Sequence, residues 1–172
     1  SFEKAFALKP EKIETANAIS TILQEINDPN ISINYYKKII ESSPKLYIVH
    51  FNLAIAYQEL NFIDEAINSY KKALNLHPEF LDAYLNLGDI YEDSNQLEDS
   101  LMSLERAVEI DSTNSLAFNN LGVTLKSLNR IDDAVNSFKR AIEIEPDNPQ
   151  GHFNLGVALR SLDKIDDAIR SF

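Results

Sequence analysis

Cysteine and tryptophan are absent from this chain of 172 residues, and glycine and proline are scarce, with 4 and 6 residues. Without cysteine, the chain can form no disulfide, no thiol nucleophile and no cysteine-based zinc site. With so few glycines and prolines, little interrupts long helices. No apolar run approaches the ~20 residues that a membrane span requires. These absences favour a helical protein that is held together by packing alone.

Positive charge is also in short supply. Lys and Arg number 16 against 27 Asp and Glu, which gives a net charge of −11. Because this field repels phosphate backbones and anionic lipid surfaces, we expect neither nucleic acid nor a membrane as a partner. The apolar content of 44% is typical of a folded globular chain. No signal-like segment is present, so we expect a cytoplasmic location.

Prolines reveal an internal repeat. Pro10, Pro44 and Pro78 are 34 residues apart, and Pro146 lies 68 residues beyond Pro78. A fixed period of this length indicates stacked copies of one supersecondary unit. We divide the chain, as one array, into a partial repeat 1–12, repeats 13–46, 47–80, 81–114 and 115–148, and a partial repeat 149–172.

Residues of similar size return at fixed places, which we count from the first residue of each repeat. Apolar residues at spacings of three and four form one stripe on each helix. Small residues at the eighth and twentieth places allow two helices to approach closely, and bulky residues fill the space around them. The small residues are Ser20, Ala54, Gly88, Gly122 and Gly156 at the eighth place, and Ser32, Ala66, Ser100, Ala134 and Ala168 at the twentieth.

Polar residues mark the ends of the predicted helices. The fifteenth place holds asparagine or aspartate, which tolerate a left-handed backbone and therefore suit the end of a first helix. Asp28 followed by Pro29 predicts a capped helix start. We expect Ser43, Asp111 and Asp147 to cap the helices that follow them. First helices are predicted at 13–26, 47–60, 81–94, 115–128 and 149–162, and second helices at 29–42, 63–76, 97–110 and 131–144.

The period and runs such as Asn52-Leu53-Ala54, Tyr57, Ala66, Tyr70, Ala73 and Pro78 resemble the tetratricopeptide repeat family. The resemblance covers the whole chain. The repeat 13–46 departs most, with Ala16 in place of a large residue and Ile39 in place of a small one. The resemblance implies an all-α solenoid of antiparallel helix hairpins in a right-handed superhelix, with first helices lining a concave groove. The alternative is an unrelated helical bundle.

In the family, the sixth place of each first helix faces the groove. Here it holds what we call the asparagine ladder: Asn52, Asn86, Asn120 and Asn154. An amide both donates and accepts, so stacked amides can pair with the backbone of an extended peptide. The ladder is similar to that of the repeat arm of O-linked N-acetylglucosamine transferases, although asparagine at this place can also be structural. Since Ala18 stands in the preceding repeat, the ladder should stop at Asn52.

Charged and apolar residues complete the predicted peptide-binding site. Four acidic residues are expected to share one helix face, where a focused negative potential would favour Lys or Arg in a ligand. The alternative is a solvated face without a partner. Apolar residues at the fifth place, Leu85 included, are either anchors or packing residues. Beside the ladder, the candidate residues are Asp82, Asp89, Glu92, Asp93, Lys126, Arg160, Phe51 and Phe153.

No catalytic or metal-binding constellation stands out, and we expect no cofactor. His50 and His152 occupy a place that is normally buried, whereas His77 lies in a turn, where we expect it to be exposed and idle. The paired carboxylates Asp132-Asp133 and Asp166-Asp167 fall in the first turns of second helices, where they favour the helix dipole. We therefore predict a protein without enzymatic activity.

Three functions are compatible with these features. The first is a protein–protein interaction scaffold whose groove binds an extended polypeptide. The second is a substrate-recruiting arm of a larger enzyme such as a glycosyltransferase. The third is head-to-tail self-association through the chain ends, because Ser1-Phe2 and Ser171-Phe172 occupy the same two places of the repeat and no capping helix is visible. The same feature fits a fragment of a longer array.

Overall fold

The computed structural model describes residues 13–171, which form helices and no strands. Buried side chains recur at spacings of three and four along the helices, as expected where one stripe packs against neighbours. The helices are α1 (Ile13–Ile26), α2 (Pro29–Ser42), α3 (Tyr47–Glu59), α4 (Ile63–Leu76), α5 (Leu81–Asp93), α6 (Leu97–Ile110), α7 (Ser115–Ser127), α8 (Ile131–Ile144), α9 (Pro149–Ser161) and α10 (Ile165–Ser171).

These bounds confirm the predicted helices to within one residue. Only α3, α5, α7 and α9 end one residue before their predicted ends. The predictions for 1–12 and for Phe172 lie outside the described residues. No helix within 13–171 is long and apolar enough to cross a membrane.

A single residue reverses the chain between the two helices of each hairpin. The predicted left-handed backbone is confirmed, because Asn61 has φ 60° and Asn129 has φ 61°. Around Asn61, the backbone N–H of Phe62 donates to Tyr57 O at 2.9 Å, which satisfies a carbonyl at the helix end. Asn27, Asn95 and Asp163 adopt the same conformation.

The small residues at the eighth place permit the predicted close approach of paired helices. A Cβ atom added to Gly122 would lie 2.5 Å from the Phe138 ring, and one added to Gly88 would lie 2.6 Å from Leu104. Real atoms do not approach so closely, so glycine is required for this packing. The hydroxyl of Ser100 also donates to Gly88 O at 2.8 Å, which joins α6 to α5.

Helix capping follows the prediction at one site and departs from it elsewhere. Asp28 caps α2 by accepting from the N–H groups of Asn30 and Ile31. The prediction for Ser43, Asp111 and Asp147 is wrong. The N-cap residues of α3, α7 and α9 are Leu46, Asn114 and Asn148, and only the two asparagines accept from the helix backbone.

The predicted capping residues stand too early in their turns to reach the helix. Asp111 instead accepts from the N–H of Thr113, two residues later. The Ser43 hydroxyl is buried without a hydrogen-bond partner among the described residues. The paired carboxylates Asp132-Asp133 and Asp166-Asp167 do lie in the first turns of α8 and α10, as predicted.

The chain divides into two compact units, 1–83 and 84–172, with the division inside α5. In the first unit, Ala16 and Ile39 are fully buried, so the most divergent repeat still packs with its stripe inward. In the second unit, Ile90, Leu104 and Phe138 are among the large side chains of the core, at 1%, 1% and 0% exposure. The division of a single array into four repeats and two partial repeats stays a prediction.

Candidate functional site

The first-unit member of the asparagine ladder is engaged inside the protein. Asn52 on α3 is 9% exposed, and its Nδ2 donates to the Ser20 hydroxyl on α1 at 2.7 Å. Ser20 in turn donates to Ala16 O at 2.9 Å. One amide hydrogen of Asn52 therefore joins two successive first helices and is not offered to a ligand.

In the second unit, amides form a connected row across three first helices. Asn154 on α9 donates to Asn119 Oδ1 on α7 at 2.9 Å. Asn119 donates to the adjacent Asn120 Oδ1 at 3.4 Å, and Asn120 donates to Asp89 Oδ1 on α5 at 2.7 Å. Gln150 begins the row by donating to Asn154 Oδ1 at 3.1 Å. We call these five residues the amide row.

The amide row differs from the predicted ladder in how its members meet. The repeat period predicts that Asn120 and Asn154 stack directly, but Asn119 lies between them in the hydrogen-bond sequence. Asn86 on α5 is half-buried and takes no part in the row. Asn154 is 6% exposed, whereas Asn119 and Asn120 keep part of their surface accessible. The binding role of all four ladder residues stays a prediction.

Sequence reasoning missed two members of the row, Asn119 and Gln150. Both stand at places that face the groove in the family resemblance, the fifth and the second. Gln150 also lies one helical turn before Asn154, a spacing at which amides bond on a helix surface. An asparagine at a place that holds Phe or Leu in the repeats 47–80, 81–114 and 149–172 was the available signal.

The acidic residues of α5 gather at the end of the amide row. Asp89, Glu92 and Asp93 lie three and four residues apart, which puts them on one helix face. Glu92 is half-buried and accepts from the Ser127 hydroxyl at 3.2 Å. Asp82 is exposed in the first turn of α5, in the other compact unit. The cluster that the second unit holds therefore consists of three carboxylates.

Asp89 is the member of this cluster that accepts from the amide row. Burial raises its pKa above the ordinary 3.8, and repulsion from Asp93 and Glu92 raises it further. The hydrogen bond from Asn120 opposes the shift by stabilising the carboxylate. The arrangement thus holds a carboxylate whose charge is costly and which a cation would stabilise.

The apolar candidates at the fifth place have three different environments. Leu85 is buried at 8% exposure. The ring of Phe51 packs against Phe80, with centroids 4.7 Å apart, and against Tyr70 at 5.6 Å. Phe153 on α9 is 55% exposed. Of these residues, Phe153 is therefore the one with an exposed side chain, and its role as a binding anchor stays a prediction.

The two basic candidates stand at helix ends in the second unit. Lys126 is half-buried in the last turn of α7, and Arg160 is exposed in the last turn of α9. Their charges favour the helix C-terminus. A role in ligand binding stays a prediction for both.

The histidines are structural, and one prediction about them is wrong. His50 is buried and lies 2.9 Å from Pro44 O through Nε2, and His152 makes the same contact with Pro146 O at 2.8 Å. His77 is not exposed and idle. The centroid of its ring lies 4.6 Å from that of Tyr47, and its Nδ1 is buried without a hydrogen-bond partner among the described residues.

Within residues 13–171, no group of three His, Asp or Glu side chains is placed to hold a metal ion. What the site offers is hydrogen bonding and negative charge. In the second unit, the amide row and the three carboxylates of α5 form a polar surface that spans α5, α7 and α9.

Comparison with protein families identifies the repeat. A family model described as TPR repeat matches residues 59–94 and 124–163. Two models described as tetratricopeptide repeat match residues 81–114 and 103–136. No relative of the chain is found among curated proteins.

Solved structures share the all-α fold at low sequence identity. MamA from Desulfovibrio magneticus RS-1 has a TM-score of 0.84 and 20% identity, with 91% of this chain and 88% of that chain covered. YrrB, described as a TPR protein with an unusual peptide-binding site, has a TM-score of 0.83 and 22% identity, with 99% and 88% covered. The first TPR of Spaghetti, bound to an HSP90 peptide, has a TM-score of 0.66 and 20% identity, with 68% and 93% covered. The predicted fold class, an α-solenoid of helix hairpins, is confirmed.

Proposed function

Since residues 59–163 consist of tetratricopeptide repeats, we propose that the chain is an interaction scaffold that binds an extended polypeptide on the first helices of its second unit. Two structures of the same fold, YrrB and the first TPR of Spaghetti, have a peptide-binding site or a bound peptide. They support a protein or peptide as the partner. The location of the binding surface follows from the contacts and charges of this chain's own residues.

The amide row is the observation that carries the proposal. A carboxamide has two N–H donors and an oxygen with two lone pairs, and the row uses only part of this capacity. Asn119 and Asn120, which are half-buried, keep hydrogen-bonding groups for a ligand while their neighbours hold them in place. Amides that are already oriented lose less conformational freedom when a peptide backbone pairs with them.

The acidic cluster gives the surface a charge preference. Asp89, Glu92 and Asp93 lie where the row ends, and the cost of the charge on Asp89 falls when a cation approaches. A peptide whose backbone pairs with the amides would therefore be favoured if it carries Lys or Arg near Asp89.

A display library of random peptides tests this surface, because such a library requires no identified partner. Peptides selected on the wild-type chain should be enriched in Lys and Arg. Their affinity should fall about tenfold or more for the variant with Asn119→Ala and Asn120→Ala, since several amide hydrogen bonds of ~1 kcal/mol each are lost. Calorimetric titration with the selected peptides gives the affinities.

The matched control replaces two exposed asparagines on second helices, Asn68→Ala and Asn136→Ala. It should bind the selected peptides as the wild type does. Thermal melts establish that both variants remain folded. Equal affinities for the wild type and both variants would show that the amide row is not part of the binding surface.

A second candidate, association between copies of the chain, is favoured by the apolar surface of α10. Ile165 and Ile169 are 48% and 67% exposed on this short helix. Ile169→Lys should abolish concentration-dependent sedimentation if this surface mediates the contact. A wild-type chain that sediments as a monomer at all concentrations would exclude this candidate. A role as the substrate-recruiting arm of a larger enzyme would use the same peptide contacts and stays a prediction.

A further inference from the structure

The three helices that the amide row joins differ in the sign of their charge. Within the second unit, α5 carries three acidic residues and no basic one. α7 and α9 each carry one basic residue, Lys126 and Arg160, and no acidic one. The surface that spans these helices is therefore negative at α5 and positive at α7 and α9.

The two basic residues lie on the helix faces that belong to this surface. Lys126 follows Asn119 by seven residues on α7, and Arg160 follows Phe153 by seven residues on α9. Seven residues make almost two turns of an α-helix, so each pair shares one face with ~10 Å between its members. Glu92 holds the same place on α5 as Lys126 and Arg160 hold on their helices. From α5 to α9, this place is negative, positive and positive.

Among the arginines within residues 13–171, Arg160 alone forms no ion pair. The others pair with a carboxylate at a spacing of three residues, and they are Arg106, Arg130, Arg140 and Arg170. Asp163 follows Arg160 at this spacing but lies in the left-handed turn after α9, at φ 61°, and no pair forms. Because a guanidinium group presents donors in a plane that matches a carboxylate, Arg160 is available to a carboxylate of a partner.

The end of α9 leaves the positive charge of Arg160 dominant. A helix C-terminus carries about half a negative charge on its last carbonyls. Here two of these carbonyls are bonded, because Arg160 O accepts from Asp163 N at 3.0 Å and Leu159 O accepts from Lys164 N at 3.1 Å. The exposed side chains of Asp163 and Lys164, which are adjacent in the turn, offset each other.

The negative and positive ends of the surface are separated by two helix spacings. Glu92 accepts from Ser127 at 3.2 Å, so the last turns of α5 and α7 are neighbours, and Asn154 joins α9 to α7. Packed helix axes lie ~8–10 Å apart, which places Glu92 and Arg160 about 16–20 Å apart. An extended peptide advances ~3.3 Å per residue, so about five or six residues span this distance.

We propose that the second unit selects an extended segment with two opposite charges about five or six residues apart. A Lys or Arg of the segment lies at Asp89 and Glu92, and an Asp or Glu lies at Arg160. The inference rests on the proposed function, which supplies the peptide and its basic residue, and it adds the acidic residue and the spacing. Such a surface disfavours the uniformly basic segments that the net charge of −11 alone would attract.

The test is a nuclear magnetic resonance titration of the full chain with peptides that are acetylated at the N-terminus and amidated at the C-terminus. Each contains one Lys and one Glu among Ser and Thr, with Glu two, six or ten positions from Lys, in both orders. In one order, the spacing of six should bind about three- to fivefold more tightly than the others, as expected for one exposed ion pair. Gln in place of Glu should remove this advantage. Equal affinity at all spacings, or tightest binding by a peptide with Lys in place of Glu, would overturn the proposal.

Two variants with the same change of net charge locate the acidic residue of the peptide. Arg160→Gln should abolish the preference for Glu over Gln. Lys139→Gln removes an exposed charge from the second helix α8 and should retain the preference. Arg160→Glu should reverse it, so that the peptide with a second Lys binds more tightly than the peptide with Glu. Equal effects of Arg160→Gln and Lys139→Gln would show general charge attraction and contradict the contact.

The variant with Asn119→Ala and Asn120→Ala separates this inference from the proposed function. It should weaken every peptide by a similar factor and keep the preference for the spacing of six. If this variant weakens peptides that bind the wild type without regard to Glu, the charge spacing is overturned and the peptide-binding surface stands. If no peptide shifts any signal of α5, α7 or α9 in the wild type, both the inference and the proposed function are contradicted.

Discussion

At the hairpin turn, a single asparagine adopts a left-handed backbone conformation. Asn129 holds φ 61°, where a side chain with a Cβ atom is strained unless it is short and polar. Asn129→Ala should therefore lower the free energy of unfolding by ~1 kcal/mol, and Asn129→Gly should preserve or slightly raise it. Chemical denaturation of the three proteins measures both changes. Equal loss for alanine and glycine would show that the asparagine side chain matters through its hydrogen bonds.

The negative charge of the Asp89 side chain opposes folding. Because its folded-state pKa is raised above 3.8, the folded protein holds the proton more tightly than the unfolded chain. The destabilisation of the folded state by this charge is absent below pH 3.8 and is complete only above the raised pKa. The free energy of unfolding therefore declines with rising pH across that window.

Asp89→Asn should remove this cost. Because the side chain is only partly buried, the gain at neutral pH should be below ~1 kcal/mol, and it should shrink as the pH falls towards 3.8. Denaturation of both proteins at several pH values gives the difference. A difference that grows on acidification would contradict the assignment of the raised pKa to Asp89.

Between paired helices, close packing depends on glycine, which has no Cβ atom. At Gly122 an added Cβ would meet the rigid ring of Phe138 at 2.5 Å, whereas at Gly151 it would meet the flexible Ile142 at 3.2 Å. Gly122→Ala should destabilise the protein by ~1–3 kcal/mol through overpacking. Gly151→Ala should be neutral or stabilising, by up to ~1 kcal/mol, because alanine favours the helix. Thermal melts compare the two, and similar melting temperatures would put the packing of α7 on α8 in doubt.

Helices, hairpins and their packing could be predicted because each depends on a few residues of fixed type. The left-handed turn at Asn61 and the close contact at Gly88 follow from backbone geometry and from size, which the sequence displays directly. The place of a residue in the repeat therefore suffices to predict its structural role.

Hydrogen-bond partners could not be predicted in the same way. Asn52, Asn120 and Asn154 occupy the same place, yet they donate to a serine, an aspartate and an asparagine at three different places of the preceding repeat. The choice depends on which polar atom lies within about 3 Å, and such distances are set by the packing of whole helices. For the same reason, the ladder could be recognised in the sequence, whereas the hydrogen-bond partners of its members could not.

At the scale of the whole molecule, the net charge of −11 acts on stability and on binding in opposite directions. Self-repulsion opposes the compact state, whereas attraction favours a basic ligand, and salt screens both over ~10 Å at an ionic strength of about 0.1 M. Raising sodium chloride from low to moderate concentration should therefore increase the melting temperature and weaken the peptides selected on the second unit. Melts and titrations at matched salt concentrations provide the check. If salt raised both the melting temperature and the peptide affinity, or lowered both, this result would contradict an electrostatic origin of the two effects.

The hydrogen bonds of the amide row all run in one direction, because each side chain donates to the next member on the way to Asp89. An ionised carboxylate only accepts, so no amide in the row can flip without setting two oxygens or two N–H groups against each other. Asp89 therefore fixes the polarity of the whole row while it is charged. Protonation would allow it to donate, and both polarities would then be permitted. A peptide backbone is itself directional, so we expect the preference for one peptide orientation over the reverse to weaken in acid.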